Sequence, residues 1–229
     1  MAKQGLTEIV SIIDKSGSMM GLTSRTIEGF NSFLTEQKEV EGEANFSTVL
    51  FSSPNREQII FDSVDIKEVN ELNEENYRCN GTTALYDAVG RTIRAVKKRI
   101  KNLPEEEKPE RVLFVIITDG EENSSQEYNK EKIFEMIKKR EEKNGWAFLY
   151  LGANQDSFVE GGKMGVSKAR TMNYAANGEG VMFAYANSSS FSKRYRMSAD
   201  LDTANSLSFK DTEVKTTKDV DGKNTTDNK

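Results

Sequence analysis

The chain has 229 residues, 36% hydrophobic and 30% charged, with 37 acidic against 32 basic side chains and a net charge of −5. That length suits one domain with a full core, and the acidic balance argues against a nucleic-acid partner, which needs a basic footprint. The chain has no histidine and a single cysteine, Cys79, which excludes Ser-His-Asp and Cys-His catalysis, an ordinary zinc site and an intrachain disulfide.

From Met1 the chain enters a strand pattern without the apolar run of a signal peptide, and no segment reaches the roughly 18 apolar residues of a membrane span. A cytoplasmic location with no membrane contact is therefore expected, and a lone cysteine agrees with a reducing compartment. Ile9-Ile13 is replaced by polarity at only one position, Ser11, so residues 9–13 are expected to be a buried strand. Residues 25–38 read as a helix with Ile27, Phe30 and Leu34 on one face. Residues 45–51 and 57–61 flank the turn Ser52-Ser53-Pro54-Asn55 and predict an antiparallel hairpin at a sheet edge.

After a polar connection over 65–80, residues 83–103 give the clearest helix. Leu85, Val89, Ile93, Val96, Ile100 and Leu103 recur on one face. Arg91, Arg94, Lys97, Lys98, Arg99 and Lys101 read as its solvent face. Residues 112–117 are continuously apolar, as in a central parallel strand covered on both sides. Residues 130–143 predict a helix capped near Gly145, and 146–151 a strand beginning at a core Trp146. Residues 156–176 read as two short helical pieces and 180–196 as a final helix. The domain is expected to occupy 1–200, with 201–229 a polar, disordered tail.

Three segments carry chemistry. Asp14-Lys15-Ser16-Gly17-Ser18 sets a carboxylate and two hydroxyls at alternate positions after the first strand. Gly81-Thr82-Thr83-Ala84-Leu85 opens the long helix, and Thr118-Asp119-Gly120 ends the most apolar strand. In a parallel sheet with helices on both sides, ligands bind beyond the carboxyl ends of strands where strand order reverses. If the first strand and the 112–117 strand are neighbours there, Asp14 and Asp119 project into one crevice and Thr83 faces it. Two carboxylates and three hydroxyls are hard oxygen donors of the kind Mg²⁺ prefers. Taken alone, Ser16-Gly17-Ser18 and Asp119-Gly120 read first as ordinary turns, and Thr82 or Thr83 as a helix cap; only jointly do they favour a metal.

Together, Asp14-x-Ser16-x-Ser18, the Gly-preceded Thr83 and the strand-ending Asp119 resemble the metal-ion-dependent adhesion site (MIDAS) of von Willebrand factor A (vWA) domains. The segment Gly81-Thr82-Thr83-Ala84-Leu85-Tyr86-Asp87-Ala88 resembles that family beyond the ligands. The resemblance implies an α/β, Rossmann-like vWA fold: a central, mostly parallel sheet with one antiparallel edge strand and helices on both faces. It also implies a metal held by Asp14, Ser16, Ser18, Thr83 and Asp119, usually Mg²⁺, with Mn²⁺ or Ca²⁺ as substitutes, and no catalytic residue. The implied function is a metal-dependent protein-interaction module that binds an Asp or Glu side chain of a partner protein, in some systems beside a separately encoded ATPase or kinase. Compact members occur in bacteria and their phages. Two alternatives stand beside it: a metal-assisted phosphohydrolase using Asp14 on a similar sheet, and an adapter in a nucleic-acid-associated complex. Glu121 and Glu122 are expected to be solvated loop residues, and Cys79 incidental.

Overall fold

The computed structural model describes residues 2–153 and 157–212. Its strands are β1 (Lys3–Asp14), β2 (Ala44–Phe51), β3 (Gln58–Asp65), β4 (Pro109–Thr118), β5 (Ala147–Ala153) and β6 (Thr171–Tyr174). They form one sheet in the order β3-β2-β1-β4-β5-β6. Every neighbouring pair is parallel except β2 with β3, the hairpin expected at the edge. The helices are α1 (Thr23–Lys38), α2 (Leu85–Asn102), α3 (Lys130–Asn144), α4 (Ser157–Lys163), α5 (Gly178–Met197), α6 (Leu201–Ser206) and α7 (Phe209–Thr212).

Side-chain alternation along the strands explains the two layers. Leu113, Val115 and Ile117 join Ile9 and Ile13 of β1 under α1 and α5, through Phe30, Phe33, Val181 and Phe191. Val112, Phe114 and Ile116 join Val10 and Ile12 under α2 and α3, through Val89, Ile93, Ile133 and Ile137. The unbroken apolar run of β4 thus serves both cores, and each such side chain contributes about 1.5–3 kcal/mol by leaving water. The α1–α5 packing is close enough that a Cβ on Gly29 would sit 2.3 Å from the Tyr185 ring. Among the described residues, no helix is long and apolar enough to cross a membrane.

The structure departs from the sequence reading in four places. First, β1 starts at Lys3, because Glu8 is tolerated in its middle. Glu8 is 1% exposed, paired with Arg99 at 2.6 Å and bonded by the Ser47 and Ser63 hydroxyls. Arg99 is therefore no solvent-face residue, and neither is Arg91, which pairs with Glu57 and Glu127. Second, α2 starts at Leu85, leaving Thr83 in the preceding loop. Third, Thr171–Tyr174 is a strand, paired in register with Tyr150–Ala153 of β5, where helix was expected. Asp156, at the start of that expected helical stretch, lies outside the described residues. Fourth, residues 201–212, assigned by composition to the tail, form α6 and α7. Ala204 and Phe209 are buried in the core, and the Phe209 ring lies 5.6 Å from that of Phe191. Arg170 donates to the carbonyls of Asn205 and Leu207. Leu207 packs against the same core, and Asn205 Nδ2 and Ser190 Oγ add bonds to Gly145 O and Thr212 O, so a segment that composition alone calls polar is docked. The remainder of the expected tail, 213–229, lies outside the described residues.

Candidate metal centre

The site is built at the carboxyl edge of β1 and β4. These strands are adjacent and parallel, with Ile13 opposite Ile117. Chain direction reverses its lateral progress here, since β1 is followed outward by β2 and β4 by β5. Asp14 ends β1, and Asp119 follows the last residue of β4, so both carboxylates emerge at one point.

All five residues singled out in the sequence meet there. Asp14 is fully buried. Its Oδ1 accepts the Ser16 N–H at 2.7 Å and its Oδ2 accepts the Thr118 hydroxyl at 2.6 Å. The Ser16 and Ser18 hydroxyls are 3.1 Å apart, and Ser18 Oγ donates to Asp119 Oδ1 at 2.6 Å. Thr83 closes the ring from the opposite loop. A Cβ built on Gly120 would lie 2.9 Å from Thr83 Oγ1, 3.5 Å from Ser18 Oγ and 3.6 Å from Asp14 Oδ2. Gly120, in the third segment, thus packs without a side chain against three oxygens from the other two segments.

Backbone bonds fix the two serine- and threonine-bearing loops to each other. Lys15 N–H donates to Phe51 O, Asn80 N–H to Lys15 O, and Gly17 N–H to Gly81 O at 2.9 Å. Gly81 has φ +78°, a conformation that favours glycine, and that turn presents its carbonyl to Gly17. Two buried tyrosines finish the strand ends from below. Tyr77 Oη donates to Asp14 O at 2.6 Å and Tyr174 Oη to Thr118 O at 2.9 Å.

Several residues have organising roles that the sequence did not show. Thr118 was quoted only as Asp119's neighbour, yet it orients Asp14 and also accepts the Gly120 N–H. Asn123 holds Thr83 at both ends: its Oδ1 accepts the Thr83 N–H at 2.9 Å and its N–H donates to Thr83 O at 3.0 Å. Glu122 is a loop organiser rather than a solvated side chain, accepting from Tyr86 N, Ser124 N, Ser125 N and Ser125 Oγ. Asp87, fully buried on α2, accepts the N–H groups of Gln126, Glu127 and Tyr128. An Asp one turn into a helix that follows a Gly-Thr-Thr loop is the available signal for this last role.

The electrostatics follow from burial. Loss of water pushes the Asp14 carboxyl up to about 6, against the pull of the Thr118 and Ser16 hydrogen bonds, and the Asp119 charge adds to the rise. Asp119 is raised too, chiefly by burial. Two carboxylates confined this way disfavour their own charge, and a cation between them reverses that preference. Among the described residues, no group of three or more His, Cys, Asp or Glu is placed so that it could hold a metal ion. The cluster instead combines two carboxylates with three hydroxyls, a donor set that fits a hard dication rather than a soft one.

This sheet order, with the cluster at the reversal between β1 and β4, defines a vWA-like α/β fold. Among solved structures, the chain is similar to proximal thread matrix protein 1 (PTMP1) from the mussel byssus. Two structures of that protein, the second described as crystal form 2, give TM-scores of 0.55 and 0.54 at 14% identity, covering 82% of this chain and 46% of that one. A third, described as having a zinc occupied MIDAS motif, gives 0.49 at 17% identity over 76% of this chain and 42% of that one. This chain thus spans less than half the length of the byssus protein. No protein-family model matches its sequence, and no curated protein does.

Proposed function

We propose that this chain is a divalent-metal-dependent protein-interaction module, with Asp14, Ser16, Ser18, Thr83 and Asp119 holding the metal. The observation that carries the reading is the convergence of oxygens from three remote segments at the carboxyl edge of β1 and β4: Asp14 and Ser18 with Thr83 against Gly120, and Asp119 on Ser18. The hydroxyls of Ser16, Ser18 and Thr83 would supply neutral donors, and Asp14 and Asp119 the charge that balances the ion. Thr118, Asn123 and the Gly17–Gly81 bond hold those donors in place. Bound there, Mg²⁺, or Mn²⁺ or Ca²⁺ in its stead, supplies an electrophilic centre for an Asp or Glu side chain of a partner protein. We read the module as binding without turnover, in the cytoplasm, beside a separately encoded ATPase or kinase where such a system exists.

The test is capture of cell proteins on the immobilised full chain, in Mg²⁺ against a chelator, with Asp14→Ala as control. A partner retained only by the wild type in Mg²⁺ is the expected result. A partner set indifferent to both the chelator and the substitution would overturn the reading. Phosphomonoester turnover in Mg²⁺ that Asp14→Asn abolishes would favour the hydrolase alternative instead.

A further inference from the structure

The rim around the five oxygen-bearing residues is charged unevenly. Lys15 stands between Asp14 and Ser16, and its side chain leaves the cluster sideways: Nζ donates to Gln58 Oε1 at 3.1 Å. Gln58 opens β3, two strands from β1. Neighbouring strands lie about 4.8 Å apart, so this ammonium stands roughly 10 Å from β1 along the carboxyl edge. Arg56 is exposed in the β2–β3 turn. Burial pushes the Lys15 ammonium below its ordinary range, with Cys79 opposing and the Arg56 charge adding to the fall; the two cations are therefore neighbours. Neither forms an ion pair among the described residues, and Glu57, next to Arg56, is taken by Arg91 at 2.9 Å. The turn is fastened to the Thr83 loop: Ser53 Oγ accepts the Thr82 N–H at 3.0 Å, and Ser52 O accepts the Ala84 N–H at 2.9 Å. The other flank is negative. Glu121 is exposed and directly follows Gly120. Burial raises the Tyr150 phenol of β5, and the charges of Glu160 and Glu121 add to the rise, which puts both acids on that side.

Two like charges held together without an acid between them attract one from outside. A partner whose carboxylate sits on the metal has the rest of its chain running along this rim, and only the β2–β3 side favours further negative charge. Taking the metal reading as given, we infer that the partner presents two acids: an Asp or Glu on the metal, and a second carboxylate at Lys15 and Arg56. The spacing follows from the sheet. An extended chain advances about 3.3 Å per residue, so the second acid stands three or four residues from the first. The same charges fix the direction of the partner chain, with its second acid over β3 and away from Glu121. A basic residue at that spacing is repelled.

The probe is a set of fluorescein-labelled peptides in which an Asp is followed by a Ser/Thr spacer and a Glu. The Glu stands about two to six residues on, a range that brackets the reach of an extended chain, and each peptide has a twin with Gln in its place. They are titrated against the full chain by fluorescence anisotropy in Mg²⁺. At a spacing of three or four, the Glu peptide is expected to bind about threefold to tenfold more tightly than its Gln twin. In Lys15→Gln and in Arg56→Gln that ratio should fall, and with both substitutions it should reach one. A ratio of one in the wild type overturns the inference, as does a ratio that the double substitution leaves intact or that is equal at every spacing. Failure of the metal reading looks different: both twins then bind regardless of a chelator and of Asp14→Ala, and the inference falls with it. If no peptide binds, the inference is overturned, and a Tm that Mg²⁺ still raises leaves the metal centre standing.

Discussion

Filling the space at Gly120 is the sharpest test of the metal centre. In Gly120→Ala the new methyl would sit 2.9 Å from Thr83 Oγ1, within 3.6 Å of both Ser18 Oγ and Asp14 Oδ2. Either it occupies the volume an ion needs, or Thr83 turns away and takes its donor with it. Both outcomes remove metal binding, whereas the cost to the metal-free fold is that of one crowded methyl, about 1–3 kcal/mol. For the wild type, free Mg²⁺ at about 100 times its dissociation constant stabilises the folded state by about 2.7 kcal/mol. In a domain of this length that raises Tm by about 5–11 °C. The assay is differential scanning calorimetry of both proteins in Mg²⁺ and in chelator, and the quantity compared is the shift, which cancels the methyl's own cost. The variant should show no shift. A variant that keeps the wild-type shift would refute the reasoning, because the ion would then not lie among these oxygens.

Three further outcomes are expected. Thr118→Val removes the hydroxyl that donates to Asp14 and accepts from Gly120; it should cost about 1–3 kcal/mol in urea unfolding and weaken Mg²⁺ binding measured by titration calorimetry. Asp87→Asn puts an amide NH₂ among three backbone donors; a loss of about 3 kcal/mol, with faster amide exchange over residues 119–128, is expected in hydrogen-exchange mass spectrometry. Burial raises the Glu8 carboxyl above its usual 4.5, with Arg99 opposing, so the folded state holds this proton more tightly than the unfolded one. The resulting contribution is full below pH 4.5 and is lost as pH rises through the folded value. Glu8→Gln should therefore flatten the fall in stability that begins above pH 4.5, and an unchanged stability–pH profile would contradict this.

The sheet and the meeting of the five oxygen-bearing residues were legible because their signals are local or topological. The apolar run at 112–117 reads as a strand covered on both faces, and the periodicity of 85–100 as a helix with one buried side. Asp14 and Asp119 each follow a strand, so adjacency of those strands was enough to bring them together. What the sequence concealed depends on partners far along the chain. Glu8 interrupts an apolar strand, and nothing near it announces Arg99, Ser47 and Ser63. Thr171–Tyr174 has neither length nor alternation, and its extended form comes from pairing with β5. Phe209 is one apolar residue in a polar stretch, and its weight shows only against Phe191. Asn123 and Glu122 look like loop residues until their backbone partners at Thr83 and Tyr86 are known.

The two phenols beneath the cluster tie down the two strand ends that carry it. Tyr77 and Tyr174, bonded to the last carbonyls of β1 and β4, are both buried there, so a ligand of the proposed centre would approach from the opposite, outward side. Under the proposed function, an ion would then bind before the partner carboxylate seated on it and leave after it. The lifetime of such a complex would be governed by one latch rather than two, and a chelator added afterwards would act no faster than the partner leaves.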